Sequence, residues 1–473
     1  MARYRAGNGL ELPPVPGIHS LMKEISMNLT GTASGIMQPV NQAQREPTKS
    51  KLLQLASANI ADTSGGMHLR NYHLAQQLAK VMDVTHIGFG KPSKVVRRTE
   101  CEERIRIALV PKQPSYTLAK LACGALGRTP VTLLNFYSAT MAATLASELA
   151  AVRYDTVLIE GIEMVPYIPV IRANKHHVRH LVLDWHNIES EVVARHSVNA
   201  ATPLHRLYMR RVSQQLRRIE TELLANCDLH LVTSGREERE LLCRQPSAGI
   251  IVVENGVDAR YFTQGSQGKD DCSSRVGRYR ILFVGAMDYS ANIDGVSYFA
   301  RQIWPRIHQA FPELIFTIVG RNPPERLRTM ASGPGIEVTG TVADVRPYYR
   351  DALAAVVPLR VGGGTRLKIL EAMAAGVPVV STRIGAEGLR IEPEKHFLEA
   401  ETPGDFHTQV GRLRPDFNLW QRLSSLGRKL VEAVYDWNII GSHLAETFLE
   451  LSGGQRSGSP LAYASASRER QQA

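Results

Sequence analysis

The sequence predicts an α/β protein of two Rossmann-like domains, each a doubly wound parallel sheet, facing each other across a cleft. Three observations predict it. The 473 residues exceed the roughly 250–300 at which a single hydrophobic core stops growing. Short apolar segments alternate with helical stretches, the pattern of a parallel sheet covered by helices on both faces. That alternation stops at one polar, Gly/Ser-rich stretch and then begins again.

In chain order, residues 1–45 mix Pro, Gly, Asn, Gln and Met without a period and read as a weakly ordered extension. The first domain, 46–262, opens with an apolar strand over 51–56, a Gly65-Gly66 turn and a helix over about 68–80. Further strands are expected at 84–88, 156–160, 181–184 and 229–233. Residues 263–278 read as a linker. In the second domain, 279–451, strands are expected at 280–284, 315–319, 336–339, 354–358 and 377–381, most of them running into glycine. The tail, 452–473, is rich in Gly, Ser, Arg and Gln and is expected to be disordered. No short repeat of the kind that builds solenoids is visible.

Composition narrows the class. The 44% hydrophobic and 21% charged content is that of a globular protein. Cys101, Cys123, Cys227, Cys243 and Cys272 form no Cys-x-x-Cys pair, which fits a reducing compartment better than a disulfide scaffold or a zinc site. No run of about 18 apolar residues occurs; 131–152 comes nearest but contains Asn135, Ser138, Ser147 and Glu148. No apolar leader is evident near Met1, so the expected location is the cytoplasm, with peripheral association at the inner face of the cell membrane. Residues 1–265 carry 31 Lys and Arg against 23 Asp and Glu, so +8 of the net charge of +11 lies in that half. An anionic membrane surface is therefore a candidate partner, against the alternative of a merely solvated basic face. Nucleic acid is not expected, because charge alone points to it and no recognition module accompanies the charge.

The densest chemical signal is Pro358–Thr382, where a strand enters Gly362-Gly363-Gly364 and then a helix beginning near Thr365. Glycines let backbone approach a ligand, and a helix start offers unpaired N–H groups and positive dipole, together a phosphate cradle. Arg366 and Lys368 add fixed positive charge beside it. Glu371 follows about one turn on, where a carboxylate suits a ribose diol. The alternative for the segment is a plain tight turn before a surface helix.

This segment resembles the retaining glycosyltransferases of family 4, with the GT-B fold. The residues that carry the resemblance are Glu371-Ala-Met-Ala-Ala-Gly376-Val-Pro378-Val-Val, the second half of the family's donor-domain signature. Eight positions before Glu371, where the family places a first glutamate, stands Gly363. The form Gly-Gly-Gly-Thr-Arg-Leu-Lys is similar to that of bacterial sugar transferases of exopolysaccharide clusters. Gly363 and Gly364 are then expected to offer backbone N–H groups to the donor sugar. The resemblance extends over about 51–450. Asn255-Gly256-Val257-Asp258 looks like the family's segment at the end of the first domain, read either as a turn into the linker or as part of the site. The first strand-turn-helix of the second domain, Phe283 to Gly295, lacks the Arg and Lys of many relatives, which leaves more of the diphosphate to Arg366 and Lys368. Val342 and Asp344 stand where relatives hold the nucleobase, although Asp344 equally suits a helix cap. Gly65 and Gly66 resemble the glycine loop facing the diphosphate, and His186 the strand-end histidine that reaches the donor sugar. Glu160, Glu163 and Glu189 also lie at strand ends, and the sequence does not choose among them.

The resemblance implies transfer of a sugar, with retention, from a nucleotide diphosphate sugar as co-substrate to a glycan or lipid-linked acceptor in cell-surface or exopolysaccharide biosynthesis. No cofactor and no metal are expected, since no Asp-x-Asp stands beside the nucleotide segment. A nucleotide-sugar epimerase and a non-catalytic nucleotide-sugar-binding protein are the alternatives. The departure at Gly363 motivates the second of these, and a dinucleotide-binding oxidoreductase is disfavoured by the lack of a Gly-x-Gly-x-x-Gly after a strand.

Overall fold

The computed structural model describes residues 49–62, 65–91, 105–111, 116–198, 202–263, 278–361 and 366–453. The expected extension, nearly all of the linker and tail, and Gly363 and Gly364 lie outside the described residues.

The N-terminal sheet has seven strands: β1 Lys51–Ala56, β2 Asp83–Phe89, β3 Ile105–Val110, β4 Tyr154–Glu160, β5 Val178–Asp184, β6 Leu229–Val232 and β7 Ile250–Val252. Their order is β3-β2-β1-β4-β5-β6-β7, and every pairing is parallel, with Leu52 opposite Val84 on one side and Thr156 on the other. The second sheet has six: β8 Arg280–Val284, β9 Ile315–Val319, β10 Ile336–Gly340, β11 Ala352–Val357, β12 Val379–Ser381 and β13 Leu398–Glu399. Their order, β10-β9-β8-β11-β12-β13, is again wholly parallel. Each sheet reverses direction of growth beside its first strand. In such sheets the crevice at the carboxyl ends of the strands at that point is where ligands bind.

Both sheets are covered on two faces, so their central strands read as unbroken apolar runs; β11, Ala-Leu-Ala-Ala-Val-Val, is buried along its whole length. Three strands escape a reading by sequence. β7 and β13 are three and two residues long, and β3 is an edge strand with exposed Arg106.

The chain crosses between domains at two adjacent places. Val257 pairs with Asp436, and the Val257 N–H donates to the Tyr435 carbonyl at 2.8 Å. Gly256 is required there, because a Cβ would stand 2.8 Å from the Tyr435 carbonyl oxygen and 2.9 Å from the Trp437 ring. Asn255, one residue before, lines the space between the domains, so the segment both carries the crossing and borders the cleft. After the second crossing, the helix Trp437–Gly453 returns to the N-terminal domain. Its Trp437, Ile440, Leu444, Phe448 and Leu451 share a core with Leu52, Leu74, Leu78 and Val84. Gly441 lets it press on the helix Gly66–Leu78, since a Cβ would fall 2.2 Å from Gln77 Cγ. Linear order alone assigned 279–451 to the second domain. By packing, that domain ends at the Tyr435–Trp437 crossing, because the helix that follows shares the core of the first sheet.

Candidate active site

Between the domains lies a cavity of about 870 Å³, within the range of small-molecule sites. Two helix starts point into it from opposite sides. The helix Gly66–Leu78 begins after Gly65, and Leu367–Ala374 begins after Arg366. Neither start has a side-chain cap or an acidic residue in its first turn. Their N–H groups and dipoles are thus available to an anion. Gly66 permits the approach: a Cβ there would lie 3.1 Å from Leu367 Cδ1 across the cleft.

The C-terminal wall is cationic. Arg366 is buried, with Nε and Nη2 each 3.4 Å from the Ile384 carbonyl oxygen. Burial lowers its pKa from the ordinary value, as does Arg195, while Tyr289 and Glu387 oppose the shift. Lys368 Nζ donates to Asn292 Oδ1 at 2.6 Å and sits 4.1 Å over the Phe283 ring. Burial first, then the charge of Arg366, push its pKa down to about 7, against the pull of Glu371. Glu371 accepts from the Tyr349 hydroxyl at 3.1 Å, and burial raises its pKa. Asn292 also donates to the Ala286 carbonyl at 2.8 Å, which fixes the loop after β8. Arg321, at the end of β9 and 3.3 Å from Asp288, adds a further cation to the lining.

The N-terminal wall carries His186, which follows β5 in a left-handed backbone conformation (φ 52°). Its Nε2 lies 3.0 Å from Glu160 and 3.6 Å from Asp184. Its Nδ1 is buried and has no hydrogen-bond partner among the described residues, while the ring lines the cavity. Burial lowers the His186 pKa, but Asp184, Glu160 and Glu163 together raise it above the ordinary value. Glu160 is itself raised by burial, held against its neighbours by Gln54, whose Nε2 donates to it at 2.6 Å. Beneath them Arg70, fully buried, grips Asp184 with Nε at 2.6 Å and Nη2 at 3.0 Å, and its Nη1 reaches the Val253 carbonyl at 2.8 Å. Glu160, Asp184 and His186 bring ligand atoms within 4.8 Å of one another, the spacing of a metal site. The bidentate Arg70 already supplies the positive charge that two buried carboxylates require.

The open choice among three glutamates narrows. Glu160 is buried behind His186, whereas Glu163 and Glu189 line the cavity. Burial and then Glu163 raise Glu189 to about 7. Further along, the cavity turns apolar, lined by Leu133, Phe136, Val212 and Leu216.

The structure thus brings Gly65, Gly66, His186, Arg366, Lys368 and Glu371 to one cavity. It does not bring Val342 or Asp344 there. Asp344 accepts from the Arg346 N–H at 2.9 Å and from the Tyr261 hydroxyl at 3.2 Å, and pairs with Arg346 at 2.8 Å. Those bonds are local, but they are not the helix cap given as the alternative: the helix Arg346–Arg350 has Val345 at its N-cap and no side-chain cap. Arg70, Asn292 and Tyr349 lay beyond sequence reasoning, because each acts on a partner 22 to 114 residues away. The helix, expected to begin near Thr365, begins at Leu367, and Arg366 precedes it.

Two parallel Rossmann-like sheets that line a common cleft make this a GT-B protein. Residues 278–416 match the family described as Glycosyl transferases group 1. It is 26% identical over 219 residues to the D-inositol 3-phosphate glycosyltransferase of Corynebacterium jeikeium, covering 42% of this chain and 52% of that protein. The chain thus spans about half the length of this relative. The fold is similar to sucrose-phosphate synthase from Thermosynechococcus elongatus, with a TM-score of 0.65 at 18% identity over 86% of this chain and 100% of the other. It is also similar to Anabaena HepE in complex with UDP and glucose, with a TM-score of 0.59 at 15% identity over 84% and 99%. Among the described residues no helix is long and apolar enough to cross a membrane.

Proposed function

We propose that the chain transfers a glycosyl group from a nucleotide diphosphate sugar, held by the C-terminal wall, to an acceptor hydroxyl held by the N-terminal wall. The observation that carries this reading is the convergence of two uncapped helix starts with Arg366 and Lys368, opposite a histidine that lines the same cavity. The diphosphate lies between the helix starts, Glu371 accepts from the ribose diol, and the sugar lies toward His186. Gly363 and Gly364 are proposed as backbone donors to the sugar, and Val342 and Asp344 as the edge nearest the base.

In the reaction the bond from the anomeric carbon to the β-phosphate oxygen breaks, and a bond to the acceptor oxygen forms. The acceptor proton passes to the departing phosphate. Attack from the face that the phosphate leaves retains configuration and needs no protein nucleophile. The helix starts, Arg366 and Lys368 stabilise the developing phosphate charge without a metal, a contribution of about 3 kcal/mol per well-placed donor. Glu163 and Glu189 orient acceptor hydroxyls.

The test is donor turnover. UDP is the first nucleotide to try, because the HepE structure contains it. Incubation with UDP-, GDP- and ADP-sugars should release nucleoside diphosphate, faster when an acceptor is supplied. Release of no nucleotide from any donor would favour a binding protein, and conversion of the sugar without release an epimerase.

A further inference from the structure

The six most exposed large hydrophobic side chains among the described residues are Leu118, Leu126, Leu204, Val198, Leu207 and Tyr116. All belong to one corner of the N-terminal domain. Leu118 and Leu126 are 86% and 84% exposed on the helix Leu118–Leu126; Leu204 and Leu207 are 77% and 65% exposed at the start of the helix Pro203–Leu224. Leu204, Leu207, Arg211 and Gln215 fall on one stripe of that second helix, at helical spacing. Arg211 Nη2 donates to the Leu126 and Gly127 carbonyls at 2.9 and 3.0 Å, and Gln215 to the Gly124 carbonyl at 3.1 Å. The stripe therefore runs from the end of the first helix to the projecting leucines, joining them into one surface.

The charge of that surface has a single sign. No Asp or Glu occurs in residues 116–147 or 192–219, while Lys120, Arg128, Arg206 and Arg210 do. Arg128, Arg206 and Arg210 are exposed, and no ion pair is recorded for them among the described residues. Arg218, by contrast, pairs with Glu222 at 3.4 Å farther along. Exposed leucines between unpaired arginines suit the boundary of an anionic bilayer, where acyl chains take the leucines and headgroup phosphates the arginines. The same helices lead inward, since Val212 and Leu216, and Leu133 and Phe136 just after the first helix, form the apolar end of the cleft.

We propose that this corner docks on an anionic lipid bilayer and opens the apolar end of the cleft toward it, so that the acceptor is lipid-anchored. The acceptor class rests on the transfer reading above; the docking does not.

The full chain is floated with vesicles of phosphatidylcholine alone or with about a third phosphatidylglycerol, beside a UDP thermal shift as a separate readout of the donor site. Wild type should bind the anionic vesicles and bind more weakly as salt rises. The pairs Leu118→Glu/Leu126→Glu, Leu204→Glu/Leu207→Glu and Arg206→Glu/Arg210→Glu should each lower partition roughly tenfold or more and leave the UDP shift as in wild type. Failure of wild type to bind anionic vesicles at low salt, or partition of all three pairs equal to that of wild type, overturns the docking. So does sedimentation in which the leucine pairs convert an oligomer to a monomer, because the patch would then join two copies of the chain. A missing UDP shift in wild type would instead count against the donor reading.

Discussion

The buried ammonium of Lys368 should tie donor binding to pH. Its pKa is about 7 in the empty cleft, set by burial and by Arg366, with Glu371 opposing. A diphosphate placed against Nζ favours the charged form and raises that pKa. Above pH 7 the empty protein must take up a proton to bind, at about 1.4 kcal/mol per pH unit until the bound pKa is reached. The dissociation constant for a nucleotide diphosphate sugar should therefore be flat below pH 6 and rise about tenfold per unit from 7 to 9, near 100-fold or about 2.7 kcal/mol in all. Titration calorimetry in two buffers of different ionisation enthalpy should find uptake of about half a proton at pH 7 and about 0.9 at pH 8. Lys368→Arg keeps the charge at all these pH values and should flatten the curve. Glu189, also near 7 and lining the same cavity, ionises in the same range and weakens an anion as it does so. Whatever slope survives in Lys368→Arg belongs to it. A constant affinity from pH 7 to 9, or the full wild-type slope in Lys368→Arg, would refute the reasoning.

Other residues give sharper single tests. Arg366→Ala should weaken nucleoside diphosphate binding by about 1.5–3 kcal/mol, the scale of a charge-assisted hydrogen bond; unchanged calorimetric affinity in a folded variant would remove it from the site. Glu371→Gln should narrow the discrimination between ribose and 2′-deoxyribose donors, and a wild type indifferent to the 2′-hydroxyl would show the ribose role wrong. His186→Ala should keep nucleotide affinity and lose transfer, checked by binding and turnover on one preparation; loss of both together would place the histidine in folding. Arg70→Met strands the buried Asp184 carboxylate and should cost about 3–5 kcal/mol in urea unfolding, much of it recovered in Arg70→Met/Asp184→Leu. An unaltered midpoint in the single variant would contradict the clamp.

How much of this was legible depended on range. Alternation of apolar strands and glycine turns is local, so β1, β8 and β9 stand where the periodicity put them. The Gly65-Gly66 segment announces itself because a tight strand-to-helix turn leaves few residue choices, and the glycine run 362–364, outside the described residues, is as plain in the sequence. His186 is different. One histidine at a strand end says little until Glu160, 26 residues before it, and Arg70 are brought beside it. The return of the last helix is invisible for the same reason. Its apolar face, from Trp437 to Leu451, fits a helix on either sheet, and only the crossing beside Val257 decides which.

On the proposed reading, the two walls also divide the charge of the reaction. As the glycosidic bond lengthens, negative charge collects on the phosphate and positive charge on the ring oxygen and anomeric carbon. The first falls against Arg366, Lys368, Arg321 and two helix starts. The second falls toward a wall carrying Glu163, Glu189 and, behind His186, Glu160 and Asp184. A cleft charged this way stabilises the separated charges more than the neutral bond, which is what lowers a barrier rather than merely tightening binding. It also gives Arg70 a purpose beyond stability. Two carboxylates held without a cation would take up a proton and lose their field. The guanidinium fixed on Asp184 supplies that cation and holds the pair in place behind His186, whose Nε2 stands 3.0 Å from Glu160.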